Sequence, residues 1–315
     1  MNPPWDKQLI GLGGGVLMLL LAASIIGWFL SRRFTNPQGK ATIENLNART
    51  RAWWVMALVF GLAMALGLVG TTILFGLVSF LALREFITLT PTTPGDHRTL
   101  FWTFFVVLPL QYALIGLQWY GLFSILIPVY AFLILPLRSA AAGDCHNFLE
   151  RTAKIQWGLM ICVYCVSYIP ALLTLHIPGY AGQNAKLVFY LVLVAQLSDV
   201  LQYVWGKTLG RTKIAPDVSP NKTWAGFIGG VASTVLVGAG LWWATPFTPW
   251  QSAGMSLAIT FMGFGGGLVM SAIKRDRGIK DYGNLIEGHG GMMDRIDSLC
   301  YTAPVFFHLT RYFFT

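Results

Sequence analysis

The chain has 315 residues, 55% hydrophobic and only 11% charged, with a formal net charge of +9 and four cysteines. A soluble domain carries about 25% charged residues, so this chain has too little polar surface to cover a water-facing globule. A DNA-binding domain, a secreted disulfide scaffold and a disordered tail all fit poorly, and the pattern is that of an all-α, polytopic integral membrane protein.

Crossing a bilayer takes about 17–25 helical residues. Apolar runs of roughly that kind recur near 8–30, 52–68, 70–83, 100–117, 119–137, 155–175, 187–206, 225–244, 252–273 and 298–314. Backbone groups cannot go unpaired in lipid, so about nine or ten transmembrane helices are expected. The stretch Trp53–Leu83 is long enough for two short helices, with Gly67–Gly70 as the tight turn between them. The first run is too long for a signal peptide and its charges follow it, so it reads as a retained helix. The polar stretch Ser31–Arg51 reads as a surface element.

With this division, 19 of the 22 Lys and Arg residues fall on one set of loops; Lys7, Lys186 and Arg311 fall on the other. The positive-inside rule makes the rich loops cytoplasmic. The chain divides into N-terminal transmembrane helices, 1–185, and a C-terminal transmembrane region, 186–315, that holds the unusual polar residues. Cys162 and Cys165 form a C-x-x-C inside an apolar run with no second pair, which reads as buried helix filler. Gly226/Gly230 and Gly263/Gly267 permit close helix packing, within the chain or across a homodimer.

The run 187–206 carries Gln196, Asp199, Gln202 and Tyr203 on one helix face. Asp199 stands 8 residues before Lys207, about 12 Å along a helix. A carboxylate at such depth is costly, and usually either functional or hydrogen-bonded between helices. Ser219-Pro220 then reads as a helix start, with Ser219 as N-cap. That puts Lys222 in a first turn where a cation opposes the helix dipole. A phosphate bound at the free N–H groups resolves the conflict, and a lysine snorkelling to the membrane surface is the plainer alternative.

From Ser271 to Ser298 five basic residues meet five acids, Asp276, Asp281, Glu287, Asp294 and Asp297. A lipid-binding loop would be one-sidedly basic. Mixed charge around Gly288-His289-Gly290-Gly291 points to backbone wrapped closely round a ligand. Asp294 and Asp297 share one helix face, as hard oxygen ligands for Mg²⁺ would, and dipole-favoured acids at a helix start are the simpler explanation of either alone. Mg²⁺ with Lys and Arg at a membrane surface suggests phosphoryl or nucleotidyl transfer, in which catalysis is mainly positioning and charge neutralisation.

The run S-x-I-K-R-x4-K-D-x-G-x2-I-x2-H-G-G-x2-D-R-x-D, from Ser271 to Asp297, resembles the signature of the phosphatidate cytidylyltransferase (CDP-diacylglycerol synthase) family. Asp199 with Tyr203, the G-x3-G-R spacing at Gly206–Arg211, and Ala215-Pro216 through Ser219-Pro220-Asn221-Lys222-Thr223-Trp224 are similar to the family's second motif. The resemblance is close over the C-terminal third; the N-terminal half is similar only as a multi-helix pattern. It implies transfer of a cytidylyl group from CTP to phosphatidic acid, with Mg²⁺ alone or beside a second cation and no nucleic-acid partner. It also implies an active site on the cytoplasmic side of the C-terminal helices, in a bacterial inner (plasma) membrane. On this pattern Asp281, Asp294 and Asp297 lie near the metal, with Asp199 as a fourth carboxylate. Lys222, Lys274, Arg275, Lys280 and Arg295 neutralise phosphates. Ser219, Asn221 and Thr223 bind substrate or metal-bound water, and His289 with Gly290 and Gly291 shapes the nucleotide loop.

Two positions depart from the family pattern. Ala225 stands where a Glu follows the Trp, and Glu287 where Pro or Gly stands two before the His. Either Glu287 compensates for the missing carboxylate, or the chain is a divergent paralogue acting on another lipid or nucleotide. A CTP-dependent lipid kinase would use similar parts and release CDP instead of pyrophosphate. A transporter would bind at mid-membrane through broken, paired halves, a pattern this sequence lacks.

Overall fold

The computed structural model describes residues 7–33, 37–286, 288 and 290–315. Each of the ten apolar runs is helical. In chain order the helices are α1 (Lys7–Arg33), α2 (Pro37–Ala65), α3 (Gly67–Thr88), α4 (Pro94–Gly116), α5 (Tyr120–Ala140), α6 (Phe148–Thr174) and α7 (Ala185–Leu209). A hairpin of β1 (Lys213–Ala215) and β2 (Ser219–Thr223) follows, then α8 (Trp224–Gly240), α9 (Pro249–Asp276), a single turn α10 (Met293–Ile296) and α11 (Leu299–Phe314). Seven of these helices, among the described residues, are long and apolar enough to cross a membrane; α8 and α11 are shorter, and α2 carries a polar first half. The chain is a polytopic, mostly helical integral membrane protein.

Two boundaries differ from the hydropathy reading. The polar stretch Ser31–Arg51 is largely the first half of α2, a 29-residue helix about 44 Å long. The turn between α2 and α3 is confined to Leu66 and Gly67, where Gly67 takes a φ of 64°. Gly70 already belongs to α3 and lets it cross α2: a Cβ there would lie 2.6 Å from the Ala63 carbonyl oxygen.

α4, α5 and α6 each widen into a π-type turn, at Thr103–Val107, Leu126–Ala131 and Met160–Cys165. Pro109, Pro128 and Pro170 lie in or just beyond these stretches. A proline removes one ladder N–H and crowds the preceding turn, and local widening is how a helix absorbs it. α6 lies at the centre: Cys162, Val163, Val166, Tyr168 and Ile169 are wholly buried against α3 and α11. Cys162 touches Met293 with its sulfur at 3.6 Å, and the four cysteines are unbridged. The C-x-x-C is packing material, as its apolar surroundings predict.

In the C-terminal region α7 packs on α8, and α8 on α9. Glycine makes the first contact close. A Cβ at Gly226 would lie 2.7 Å from the Gln202 carbonyl oxygen, and one at Gly229 2.6 Å from the Trp205 ring. The Gly226/Gly230 pair thus serves packing within the chain. Helix ends alternate, so the starts of α2, α4, α6, α8 and α11 gather at one end of the bundle with the ends of α1, α3, α5, α7 and α9. That end carries 19 of the 22 basic residues.

Candidate active site

The site is assembled at this basic end from α7, β2, α9, the loop after α9, and α10. Asp199 is half-buried in the middle of α7, ten residues before its end at Leu209. Gln202, one turn on, is half-buried with its Nε2 unpaired, whereas Tyr203 faces outward and is 66% exposed. The face predicted from spacing therefore splits, and Tyr203 lies outside the site.

The expected helix start at Ser219-Pro220 is corrected by the structure. Ser219–Thr223 is a strand paired antiparallel with β1, and the helix opens four residues later with Thr223 as N-cap, its Oγ1 accepting the Gly226 N–H at 3.1 Å. Proline suits an edge strand, where its missing N–H is not needed, and an extended chain delivers the Thr223 hydroxyl to the helix end. Thr-Pro pairs do open helices at Thr93-Pro94 and Thr248-Pro249, where Asp96 and Gln251 complete capping boxes. Lys222 thus precedes the helix instead of sitting in its first turn, and the dipole conflict does not arise.

Its side chain crosses to α9 instead. Lys222 Nζ donates to the Phe264 carbonyl oxygen at 3.2 Å and lies 4.3 Å from the Phe264 ring centre. Gly267 makes the room: a Cβ there would stand 3.0 Å from this nitrogen. Burial pushes the Lys222 ammonium down, while Asp199 and Asp297 pull it up. Burial likewise pushes the Asp297 carboxyl up, against the pull of Lys274, Arg295 and Lys222. Two acids and three cations therefore share one partly dehydrated volume, where charges are felt more strongly than in water.

Asp294 has a different position. Its Oδ1 accepts from Lys274 Nζ at 2.8 Å, and its Oδ2 accepts the N–H groups of Tyr282 at 2.8 Å and Gly291 at 3.0 Å. Both oxygens are committed to folding the loop. Gly290 is needed here twice over, with a φ of 80° and a would-be Cβ 2.7 Å from Asp294 Oδ2. Asp297, three residues on, uses Oδ1 for the Ser298 N–H at 2.8 Å. Among the described residues of the site region, the buried Gln202 Nε2 and Arg295 Nε lack a partner. Buried polar groups are normally satisfied, by protein, water or a bound group, and these two face the charged centre.

The remaining expected residues are distributed around this centre. Arg275 Nε donates to the Val218 carbonyl oxygen at 3.3 Å and its Nη1 to that of Ile279 at 3.2 Å, tying the hairpin to the end of α9. Asn221, Lys280 and Asp281 are exposed at the rim, and Ser219 lies half-buried in the strand. Asp281 does not join Asp199, Asp294 and Asp297 in one ligand set: no group of three or more metal-ligating side chains forms among the described residues. Asp199 and Asp297 are near enough for each to feel the other's charge, and one or two carboxylates suffice for Mg²⁺ that keeps water and substrate phosphates in its shell. Glu287 and His289 lie outside the described residues.

Two contacts come from the N-terminal half. Glu85 in α3 accepts the N–H groups of Met292 and Met293, each at 2.8 Å. Arg49 in α2 covers the loop at Gly288, where a Cβ would meet its Cγ at 3.1 Å. Spacing carries no trace of either contact, since 207 residues separate Glu85 from Met292. The available signal was that Glu85 is the one acid between Glu44 and Asp96, inside an apolar stretch.

The model of the cytidylyltransferase family matches residues 47–313. The uncharacterized protein YnbB of Escherichia coli (strain K12) is 40% identical over 93% of this chain and 95% of its own length. A phosphatidate cytidylyltransferase of Staphylococcus aureus (strain COL) is 30% identical over 55% of this chain and 74% of its own. One of Mycobacterium leprae (strain TN) is 40% identical over 53% of each. The family match takes in the whole charged centre as well as both N-terminal contacts, and with it the chain belongs to the cytidylyltransferase family of nucleotidyltransferases.

Proposed function

We propose that this protein transfers a cytidylyl group from CTP to phosphatidic acid, forming CDP-diacylglycerol and pyrophosphate. A lipid phosphate oxygen bonds to the α-phosphorus of CTP, and the bond from that phosphorus to the bridging oxygen of pyrophosphate breaks. The observation that carries the reading is Lys222, held on α9 by the Phe264 carbonyl oxygen at 3.2 Å, where the Asp199 and Asp297 carboxylates pull its ammonium up, with the buried Arg295 Nε unpaired among the described residues. The two relatives named phosphatidate cytidylyltransferase support it. The positive-inside rule supports placing the basic end in the cytoplasm, where CTP is found, with the chain in a bacterial inner membrane.

Each residue has a task suited to its surroundings. Lys222 and Arg295 hold positive charge where phosphate oxygens gather, and in a dehydrated site such preorganised charge is the largest catalytic contribution. Arg295 Nε supplies a donor that the described residues leave unspent. Lys274 and Asp294 keep the loop folded. Asp199 and Asp297 would hold Mg²⁺, which when bound would offset the charge of the triphosphate. A phosphomonoester carries about −1.5 to −2 charge at pH 7, so the attacking oxygen is already deprotonated and no general base is required. Asn221, Lys280 and Asp281 stand at the rim, where arriving substrate first meets the protein.

The test is purified protein with CTP, Mg²⁺ and a panel of lipid phosphates, followed for both products. Pyrophosphate with a CDP-lipid supports the proposal; CDP with a phospholipid made from a lipid alcohol would replace it with kinase chemistry. Turnover confined to a lipid phosphate other than phosphatidic acid would identify a divergent acceptor. Ala225, and the likeness to YnbB over nearly the whole chain, favour including that arm.

A further inference from the structure

We infer that Glu85 is a positioning residue for the nucleotidyl-transfer site: from α3 it holds the turn that delivers Arg295 and Asp297. The inference rests on the function proposed above, and gives the N-terminal half a part in it. The side chain is half-buried, and its two oxygens receive the Met292 and Met293 N–H groups at 2.8 Å each. The Gly291 N–H, just before them, goes to Asp294 Oδ2 at 3.0 Å. Three successive amides are therefore claimed by two carboxylates, one local and one from a helix more than 200 residues away in sequence.

The glycines make this approach possible. A Cβ at Gly291 would lie 2.4 Å from Glu85 Oε2, and one at Gly283 would lie 3.0 Å from Oε1. The loop is thus shaped to receive a carboxylate at this spot from both sides. Charge-assisted hydrogen bonds to backbone N–H groups are short and directional, so Glu85 fixes the direction in which α10 departs. Arg295 and Asp297 follow within four residues of Met293. A neutral or shorter side chain leaves one amide or both without a partner and lets the turn move. Displacement of about 1 Å at residues that place reacting groups costs about a hundredfold in rate.

The experiment compares the full-length protein with Glu85→Ala, Glu85→Gln and Glu85→Asp in detergent micelles. It reads kcat and KM for CTP, thermal unfolding, and hydrogen exchange across 283–296. Glu85→Ala is expected to lose about a hundredfold in kcat, more than its loss of folded protein explains, and to lose protection at Met292 and Met293. Glu85→Gln keeps one acceptor oxygen at the same reach and is expected to recover part of the loss in kcat. Parental kcat in Glu85→Ala, or losses that track only the fraction of folded protein in all three variants, would overturn the inference. Should the parent transfer no cytidylyl group, the proposed reaction fails, and exchange then decides: deprotection confined to the loop upholds the clamp, and unchanged exchange overturns it.

Discussion

Replacing Gly230 by alanine tests whether the contact of α7 with α8 sets the spacing of the charged centre. A Cβ at this position would lie 2.3 Å from Gln202 Cγ, 2.8 Å from Gln202 Cα and 2.9 Å from Gln202 N. The Cγ can rotate away, but the backbone atoms cannot. Ordinary contact begins near 3.4 Å, so the two helices must part by about half an ångström or more. Overpacking of this kind costs about 1–3 kcal/mol, set against about 1 kcal/mol gained because alanine favours a helix over glycine. The net expectation is a destabilisation of up to about 2 kcal/mol. Asp199 is one turn from Gln202 on α7, whereas Lys222 is joined to the start of α8, so the same shift moves the acid against the cation. At about a hundredfold per ångström, the rate of pyrophosphate release is expected to fall about tenfold. Gly240, at the far end of α8 with nothing within 4 Å of a would-be Cβ, supplies the matching control. Thermal unfolding and initial rates measured on both variants give the answer; if Gly230→Ala behaves like Gly240→Ala in both, the close approach does not set the site.

Asp294→Asn is expected to abolish turnover and to destabilise by about 1–3 kcal/mol, since an amide cannot serve Lys274 and two backbone N–H groups together. Asp297→Asn is expected to abolish turnover without destabilising. Its folded pKa is raised, so its contribution to stability is present at acid pH and lost as pH rises above the ordinary carboxylate range, and a neutral isostere removes that cost at pH 7. Equal destabilisation of the two variants would refute the division of labour between them. Arg151→Ala strands the buried Asp96, whose Oδ2 lies 3.0 Å from the guanidinium, and is expected to cost about 3–5 kcal/mol while the KM for CTP stays within twofold (roughly) of the parent. Treatment with EDTA is expected to stop pyrophosphate release and added Mg²⁺ to restore it; turnover that continues in excess chelator would remove Asp199 and Asp297 from a metal-holding role.

Much of this protein is legible without coordinates, for a physical reason. Lipid exacts a cost for each charge and each unpaired backbone group, so the membrane segments stand out as local runs. The ten runs do prove helical, and 19 of 22 basic residues fall at one end. The signature from Ser271 to Asp297 is likewise local and marks the loop that carries Asp294, Arg295 and Asp297. What spacing could not assign was the partner of each side chain. Ser219-Pro220 has the local chemistry of a helix start, and only pairing with Lys213–Ala215 makes it a strand. Asp294 and Asp297 look equivalent three residues apart, yet one is spent on Lys274 and two amides while the other gives Oδ1 to the Ser298 N–H. Glu85 reaches Met292 across 207 residues because α3 and α10 meet at the same end of the bundle. Contacts of that span are set by helix packing in three dimensions, and a one-dimensional pattern holds no record of them.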